Sequence, residues 1–240
     1  MQILLFALFA SAFHERSIIA PNNLETIETV ISSDVYPLAL AVARMESGGA
    51  GFCSAFRIAE DLFMTNEHCA HFQPCNQTFF HLGYEPGIST TDQKNWSCST
   101  LLVESKSLDF AIFSVSDAEA AVKYPIAPLL DRTLEANEAA VLASFAGTFS
   151  KSIDRSEQCK VVDPNPTHTE DRFTFTHSCD TMAGSSGSPV WMRVARAVGA
   201  LHWGGIGEGG QYNQAIRMMD ILNEIKSTSP KIYDRLAIIH

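Results

Sequence analysis

Basic residues are scarce in this sequence, in which 17 Lys and Arg stand against 27 Asp and Glu for a formal net charge of −10. No run of five or more basic residues occurs in the 240-residue chain. Nucleic-acid binders cluster Lys and Arg to follow the phosphate backbone, so we expect no nucleic-acid partner. With nearly half its residues apolar, the chain has the composition of an ordinary globular protein.

Long apolar runs are also missing. The longest mostly apolar stretch, residues 3–13, is too short for a bilayer, which takes about 20 residues to cross. It is typical of a secretory signal peptide, with the small residues Ala10, Ser11 and Ala12 as the cleavage site. We therefore predict a signal peptide and short leader over residues 1–16, secretion to an extracellular or periplasmic location, and no stable membrane insertion. The alternative is a buried N-terminal strand or helix.

Cys-x-x-Cys pairs are absent, although the chain has six cysteines. An even number behind a predicted signal peptide indicates disulfides formed in an oxidising compartment. His68, His71 and the two neighbouring cysteines could instead form a metal site, but disulfide bonding is the simpler interpretation, and we expect no metal and no cofactor. The six cysteines are Cys53, Cys69, Cys75, Cys98, Cys159 and Cys179.

Short apolar or alternating runs separated by turn residues fill the middle of the chain, a pattern typical of all-β sandwiches and barrels. Residues 124–131, with two prolines, are predicted to link an N-terminal half, residues 17–123, to a C-terminal half, residues 124–240. Apolar residues at helical spacing over residues 218–225 predict a C-terminal helix that Ser229-Pro230 ends. The runs cover residues 38–43, 52–58, 62–65, 108–115, 140–145, 172–176, 189–194 and 198–203.

Three segments carry the residues of a nucleophilic catalyst. They are Met-Thr-Asn-Glu-His-Cys ending at Cys69, Leu-Asp-Phe-Ala-Ile around Asp109, and Gly-Ser-Ser-Gly-Ser-Pro-Val around Ser186. A serine hydroxyl becomes a nucleophile when a histidine takes its proton, and a buried carboxylate holds that histidine in the correct tautomer. We predict these three roles for Ser186, His68 and Asp109, with the N–H groups of Gly184 and Ser186 as the oxyanion hole.

Each motif also has a structural interpretation when it is taken alone. A histidine beside a cysteine is usually structural, an acid in a strand often lies at a sheet edge, and a Gly-Ser-Ser-Gly stretch is often a loop. The combination of all three in an all-β background is much more specific than any one of them.

The motifs resemble those of the chymotrypsin-fold serine proteases over residues 35–226, which would form one trypsin-like peptidase domain. The resemblance implies two antiparallel six-stranded β-barrels with a C-terminal helix and an active site in the cleft between the barrels. It also implies a disulfide between Cys53 and Cys69, which are 16 residues apart. For the other four cysteines, proximity along the chain suggests Cys75 with Cys98 and Cys159 with Cys179, and the two other arrangements remain open.

Within that family the chain resembles the glutamyl endopeptidases in its Gly-Ser-Pro-Val ending, in residues 17–23 and in residues 200–205. The resemblance assigns His202 and Thr181 to recognition of a substrate carboxylate and implies a secreted serine endopeptidase that cleaves after Glu or Asp through an acyl-enzyme. It adds Trp203, Gly204 and Gly205 to the substrate-binding segment. It further implies a role in the pocket for the amino group of a processed N-terminus, which cleavage near Arg16–Ser17 would supply.

Two residues depart from this pattern and leave alternatives open. Asp180 stands six residues before Ser186, where trypsin-like enzymes place the acid that binds Lys or Arg, so specificity for basic residues is one alternative. Ser185 replaces the aspartate that receives a new N-terminus in trypsin-like zymogens, so maturation is expected to remove a short leader instead. A catalytically silent binding protein is another alternative. We expect a monomer that acts on protein or peptide substrates.

Overall fold

The computed structural model describes residues 18–19, 21–83, 93–116, 124–145, 150–166, 175–206 and 212–240. The predicted signal peptide and the expected cleavage site near Arg16–Ser17 lie outside the described residues. Within the described ranges, no helix is long and apolar enough to cross a membrane.

The described chain is mostly β, as predicted. Its helices are short except the third: α1 Tyr36–Ala39, α2 Glu67–Ala70, α3 Met218–Thr228 and α4 Pro230–Tyr233, with 3₁₀ turns at Ile27–Val30 and Cys75–Gln77. The strands are β1 Glu25–Thr26, β2 Val42–Ser47, β3 Ala50–Arg57, β4 Leu62–Thr65, β5 Phe79–Leu82, β6 Lys94–Ser105, β7 Phe110–Val115, β8 Leu129–Leu130, β9 Ala140–Ser144, β10 Ser152–Asp154, β11 Val161–Asp163, β12 Phe175–His177, β13 Pro189–Met192, β14 Ala197–Ile206, β15 Asn213–Arg217 and β16 Ile238–Ile239.

Strands β2 to β7 form a closed barrel in the order β2-β3-β4-β7-β6-β5. Aromatic side chains fill its interior: the Phe63 ring stacks on Phe80 with centroids 4.8 Å apart and meets Trp96 edge-on at 5.7 Å. Such large rings bury much apolar surface and pack well against the pleated wall of a barrel. The first predicted six-stranded barrel is therefore present.

The second sheet has ten strands and follows the path β1-β10-β9-β13-β14-β15-β12-β11, with β8 pairing in parallel with β14 and β16. It curls so far that a single bridge, Ala139 to Lys160, ties the start of β11 back to the start of β9. On its other side β11 pairs with β12, and that register shifts between Val161 and Asp163. The second half is thus a curled sheet with a weak seam, where a fully closed barrel was expected.

The C-terminal helix α3 lies where the sequence predicted it. Its four apolar positions, Met218, Ile221, Leu222 and Ile225, are all buried. They belong to an apolar cluster that includes Phe56 of the first barrel and Trp191 of the second sheet. Burial of apolar surface therefore holds the two halves together. Residues 129–130 of the predicted linker form β8 and pair with β14.

All six cysteines form disulfides, which join Cys53 to Cys69, Cys75 to Cys98 and Cys159 to Cys179. The pairs are those that the sequence favoured. In chain-entropy terms, closing a loop of 16 residues stabilises the fold by about 3 kcal/mol. The first disulfide ties α2, the helix of His68, to β3.

Candidate active site

The pairing of β4 with β7 brings His68 and Asp109 together. Thr65, at the end of β4, pairs with Ala111 near the start of β7, so the helix that follows β4 lies beside the residue that precedes β7. Asp109 has a positive φ of 46°, which is uncommon for a residue other than glycine and orients its carboxylate towards α2. The side-chain amide of Asn66 donates to the Asp109 carbonyl at 3.0 Å and supports this turn.

The Asp109 carboxylate binds His68 twice. Oδ2 lies 2.8 Å from Nδ1 of the imidazole, and Oδ1 accepts the backbone N–H of His68 at 2.9 Å. The carboxylate is buried, whereas the histidine side chain is 42% exposed. Because a carboxylate accepts, Nδ1 carries the proton and Nε2 is left with a lone pair on the open side. This is the arrangement that a general base requires.

Ser186 lies in a loop of the second half that packs directly against the first barrel. Gly187 has a φ of +83°, and a Cβ there would lie 2.1 Å from the Ser54 carbonyl oxygen and 2.2 Å from Thr65 Oγ1. Only glycine can adopt this conformation at such a close approach without strain. Gly187 therefore allows the loop that carries Ser186 to contact β3 and β4.

The Ser186 hydroxyl donates a hydrogen bond to the Trp203 carbonyl at 2.8 Å. No hydrogen bond between Ser186 and His68 is present in the described part of the chain. The ring of Trp203 meets the His68 ring edge-on, with centroids 6.2 Å apart, so the same residue contacts both candidates. A side-chain rotation of Ser186 is needed to direct its hydroxyl to the imidazole, and catalytic hydrogen bonds often form only when substrate binds.

The backbone N–H groups of Gly184 and Ser186 donate no hydrogen bond to any group in the described ranges. Gly184 has a φ of +92°, which favours glycine. These two N–H groups lie on either side of Ser185 and near the Ser186 hydroxyl. Two such donors can stabilise a negative oxygen that forms beside that hydroxyl.

His202 lies on β14 and is fully buried beside His177, a residue that the sequence analysis did not select. Nε2 of His177 is 3.1 Å from Nδ1 of His202, and the backbone N–H of Cys179 donates to Nδ1 of His177 at 3.3 Å. Burial lowers the pKa of His177 to about 3, and burial also lowers the pKa of His202 well below its usual range. Both imidazoles are therefore neutral near pH 7.

These contacts assign the tautomers of both histidines. Nδ1 of His177 accepts from Cys179, so its single proton is on Nε2 and is donated to Nδ1 of His202. His202 then carries its own proton on Nε2. A Cβ built on Gly204 would lie 3.9 Å from this Nε2 and 3.6 Å from Ser186 Oγ, so the N–H and the Ser186 hydroxyl lie on the same side of β14.

Thr181 lies in the same loop as Ser186. Its hydroxyl is buried and has no hydrogen-bond partner among the described residues. A buried hydroxyl without a partner is costly in a folded protein and is common where a ligand completes the site. The Gly205 backbone, with a φ of +74°, packs against the Trp203 ring, to which a Cβ would come within 2.8 Å. A side chain at position 205 would therefore clash with the Trp203 ring.

Asp180 has both carboxylate oxygens bound by the N-terminal segment. Oδ1 accepts the backbone N–H of Ile19 at 2.6 Å, and Oδ2 accepts the backbone N–H of Asn23 at 2.7 Å and its side-chain amide at 3.2 Å. The residue is completely buried, and its own N–H donates to Asp154 at 2.7 Å. Burial raises the pKa of Asp154. Asp180 thus anchors Ile19 and Asn23 to the second half.

The sequence analysis missed two residues of this region. His177 precedes a disulfide cysteine by two residues in a short strand, and its sequence neighbours do not indicate that it meets His202 on another strand. Ser54 follows Cys53 in a buried strand and resembles any core serine. In both cases the functional contact is made across the sheet or between the halves.

Comparison with known families assigns the fold and the class. The sequence profile described as "Trypsin-like peptidase domain" matches residues 53–199. The chain therefore belongs to the trypsin-like peptidase family. No curated protein matches the chain significantly.

Solved structures with the same fold are distant in sequence. The inactive form of the Rv3671c protease of M. tuberculosis is 15% identical, with a TM-score of 0.63 over 84% of this chain and 95% of that chain. A structure described as Glu endopeptidase in complex with MPD is 14% identical, with a TM-score of 0.65 over 88% of this chain and all of the other. The VesB protease of Vibrio cholerae is 14% identical, with a TM-score of 0.62 over 78% and 63% of the two chains. At these identities the likeness shows the shared fold.

Proposed function

We propose that this chain is a serine endopeptidase that cleaves peptide bonds through an acyl-enzyme on Ser186, with preference for glutamate before the cleaved bond. The observation that carries the proposal is the pair of hydrogen bonds from His68 to the buried Asp109 carboxylate. With the Nδ1 proton held by the carboxylate, Nε2 of the neutral imidazole is the nitrogen that would accept the proton of the Ser186 hydroxyl.

In this mechanism each residue has one task. Ser186 Oγ attacks the substrate carbonyl carbon while its proton moves to Nε2 of His68. The carbonyl oxygen becomes negative and is stabilised by the N–H groups of Gly184 and Ser186. The proton then passes to the leaving amine, the C–N bond breaks, and water hydrolyses the ester by the same route. Asp109 stays ionised and balances the charge of the imidazolium.

The preference for glutamate rests on the donors around the nucleophile. The Nε2–H of His202 and the buried hydroxyl of Thr181 supply two hydrogen-bond donors that suit a carboxylate. The carboxylate accepts from the neutral His202, whose Nδ1 stays the acceptor of the His177 Nε2–H. Specificity for Lys or Arg would instead need Asp180, and both oxygens of that carboxylate already bind the N-terminal segment.

We further propose that the enzyme is secreted and acts as a monomer on protein or peptide substrates. Three disulfides among 240 residues favour an oxidising compartment, because thiols stay reduced in most cytosols.

Digestion of one denatured protein with the purified, leader-free enzyme tests both activity and specificity. We expect new C-termini that end mainly in glutamate, and a loss of about 10⁶ in turnover for Ser186→Ala. Predominant Lys and Arg ends would contradict the assigned pocket. Parent and Ser186→Ala activities that do not differ would contradict the mechanism, and failure of Ser186 to react with an organophosphorus fluoride would favour the non-catalytic binding protein.

A further inference from the structure

The segment Gly184–Ser185–Ser186 lacks the acidic side chain that could anchor it by an ion pair, yet it holds both N–H groups of the proposed oxyanion hole. Its middle residue, Ser185, is completely buried. The Ser185 hydroxyl lies 2.9 Å from the Ser144 hydroxyl and accepts the Met182 N–H at 3.2 Å. Neutral hydrogen bonds therefore replace a charged anchor at this position.

Ser54, on β3 of the first barrel, holds both ends of the same segment. Its hydroxyl donates to the Gly184 carbonyl at 2.9 Å, and its backbone N–H donates to the Ser186 carbonyl at 2.9 Å. The side chain is completely buried. The peptide between the two candidate oxyanion donors is thus fixed by a residue of the opposite half of the molecule.

The direction of the Ser54 hydroxyl is set by a third partner. The backbone N–H of Phe145, the residue that follows β9, donates to Ser54 Oγ at 3.0 Å. A hydroxyl has one proton, and with an incoming donor on its oxygen that proton is directed to the Gly184 carbonyl. Ser144 and Phe145 are consecutive, so the end of β9 supports the segment through Ser185 and through Ser54.

We propose that Ser54 is a positioning residue for the oxyanion hole, acting through its hydroxyl on the Gly184 carbonyl. The inference rests on the proposed function, because the oxyanion hole that Ser54 would position is part of the proposed peptidase mechanism. Rotation of the Gly184–Ser185 peptide would turn the neighbouring N–H groups away from the reacting oxygen. Ser54 resists that rotation, so its loss weakens binding of the tetrahedral state more than binding of substrate.

The test compares Ser54→Ala, Ser54→Thr and the parent enzyme with a glutamyl peptide substrate and a peptide boronic acid. The boronic acid forms a reversible bond to Ser186 Oγ and places a negative oxygen in the oxyanion hole. We expect Ser54→Ala to lower kcat about 10-fold, and to raise the boronic acid Ki by a similar factor, because a buried carbonyl loses its donor. KM and the pH profile of kcat should stay unchanged, and Ser54→Thr should restore kcat.

Ser33→Ala is the matched control, because Ser33 Oγ donates to the Val30 carbonyl at 2.6 Å and makes no hydrogen bond to a site residue in the described ranges. It should leave kcat and Ki unchanged. If Ser54→Ala does not fold, Ser54→Cys keeps the size with a weaker donor and should give an intermediate kcat. Parent-like kcat and Ki in the Ala or Cys variant would overturn the proposal while leaving the endopeptidase assignment intact.

A parent enzyme that hydrolyses nothing would overturn the proposed function instead. In that case a crystal structure of Ser54→Ala tests whether Ser54 positions the Gly184–Ser185 peptide. A rotated Gly184–Ser185 peptide would support it, and an unchanged peptide would overturn it.

Discussion

Nε2 of His177 lies 3.1 Å from Nδ1 of His202, and both imidazoles are buried where no side-chain acid is hydrogen-bonded to them in the described chain. The pair is held at its inner end by the Cys179 N–H. A backbone group therefore determines the tautomer of His177, and His177 in turn determines that of His202. The proposed specificity donor is oriented by a fixed part of the fold and needs no charge.

Replacing His177 should weaken recognition of glutamate more than it weakens catalysis. His177→Leu removes the donor to His202 Nδ1, so His202 can place its proton on the wrong nitrogen. We expect KM for a glutamyl peptide to rise about 10-fold, since one buried hydrogen bond is lost, with kcat changed less. Steady-state kinetics on glutamyl and glutaminyl peptides would measure the split.

His177→Gln is the control for this substitution, because its side-chain amide can still donate to His202. It should retain most of the preference for glutamyl over glutaminyl peptides. If the parent and His177→Leu enzymes prefer glutamyl over glutaminyl peptides equally, His177 has no role in specificity.

The same pair predicts a loss of stability in acid. Burial lowers the pKa of His177 from 6.5 to about 3, whereas an unfolded chain protonates this histidine near 6.5. Between these values the unfolded state binds more protons, so the free energy of unfolding decreases as the pH falls below 6.5. The slope is at most about 1.4 kcal/mol per pH unit for each buried histidine.

Urea unfolding of the parent and His177→Leu at about pH 6.5 and about pH 5 would measure this effect. The variant should lose roughly 2 kcal/mol less than the parent over this interval. Subtraction cancels contributions such as that of Asp154, whose raised pKa acts in the opposite direction. The same pH dependence in both proteins would show that His177 is not kept neutral by burial.

Much of the architecture could be predicted because it follows local patterns. Alternating apolar runs indicated the strands, and Met218, Ile221 and Ile225 indicated the helix that packs on them. The partners of Asp180 could not be predicted, because they are Ile19 and Asn23, far away in sequence. The weak seam of the second sheet was likewise hidden, since it depends on the isolated bridge between Ala139 and Lys160.

Asp180 provides a test that separates an anchoring role from a role in specificity. Asp180→Asn keeps the size of the side chain but has only one acceptor oxygen, whereas the N–H groups of Ile19 and Asn23 now bind two. We expect the free energy of unfolding to fall by about 1–3 kcal/mol, because one of these donors loses its partner. Thermal or urea unfolding measures that loss.

Cleavage after glutamate should persist in Asp180→Asn, because the proposed donors on His202 and Thr181 are untouched. Asp234→Asn, at an exposed position, controls for the change in net charge and should leave both stability and specificity as in the parent. If Asp180 instead faced the substrate, its neutralisation would abolish any cleavage after Lys or Arg and leave stability unchanged. That combination would assign Asp180 to the specificity pocket. If Asp180 anchors the N-terminal segment, its loss must lower the free energy of unfolding.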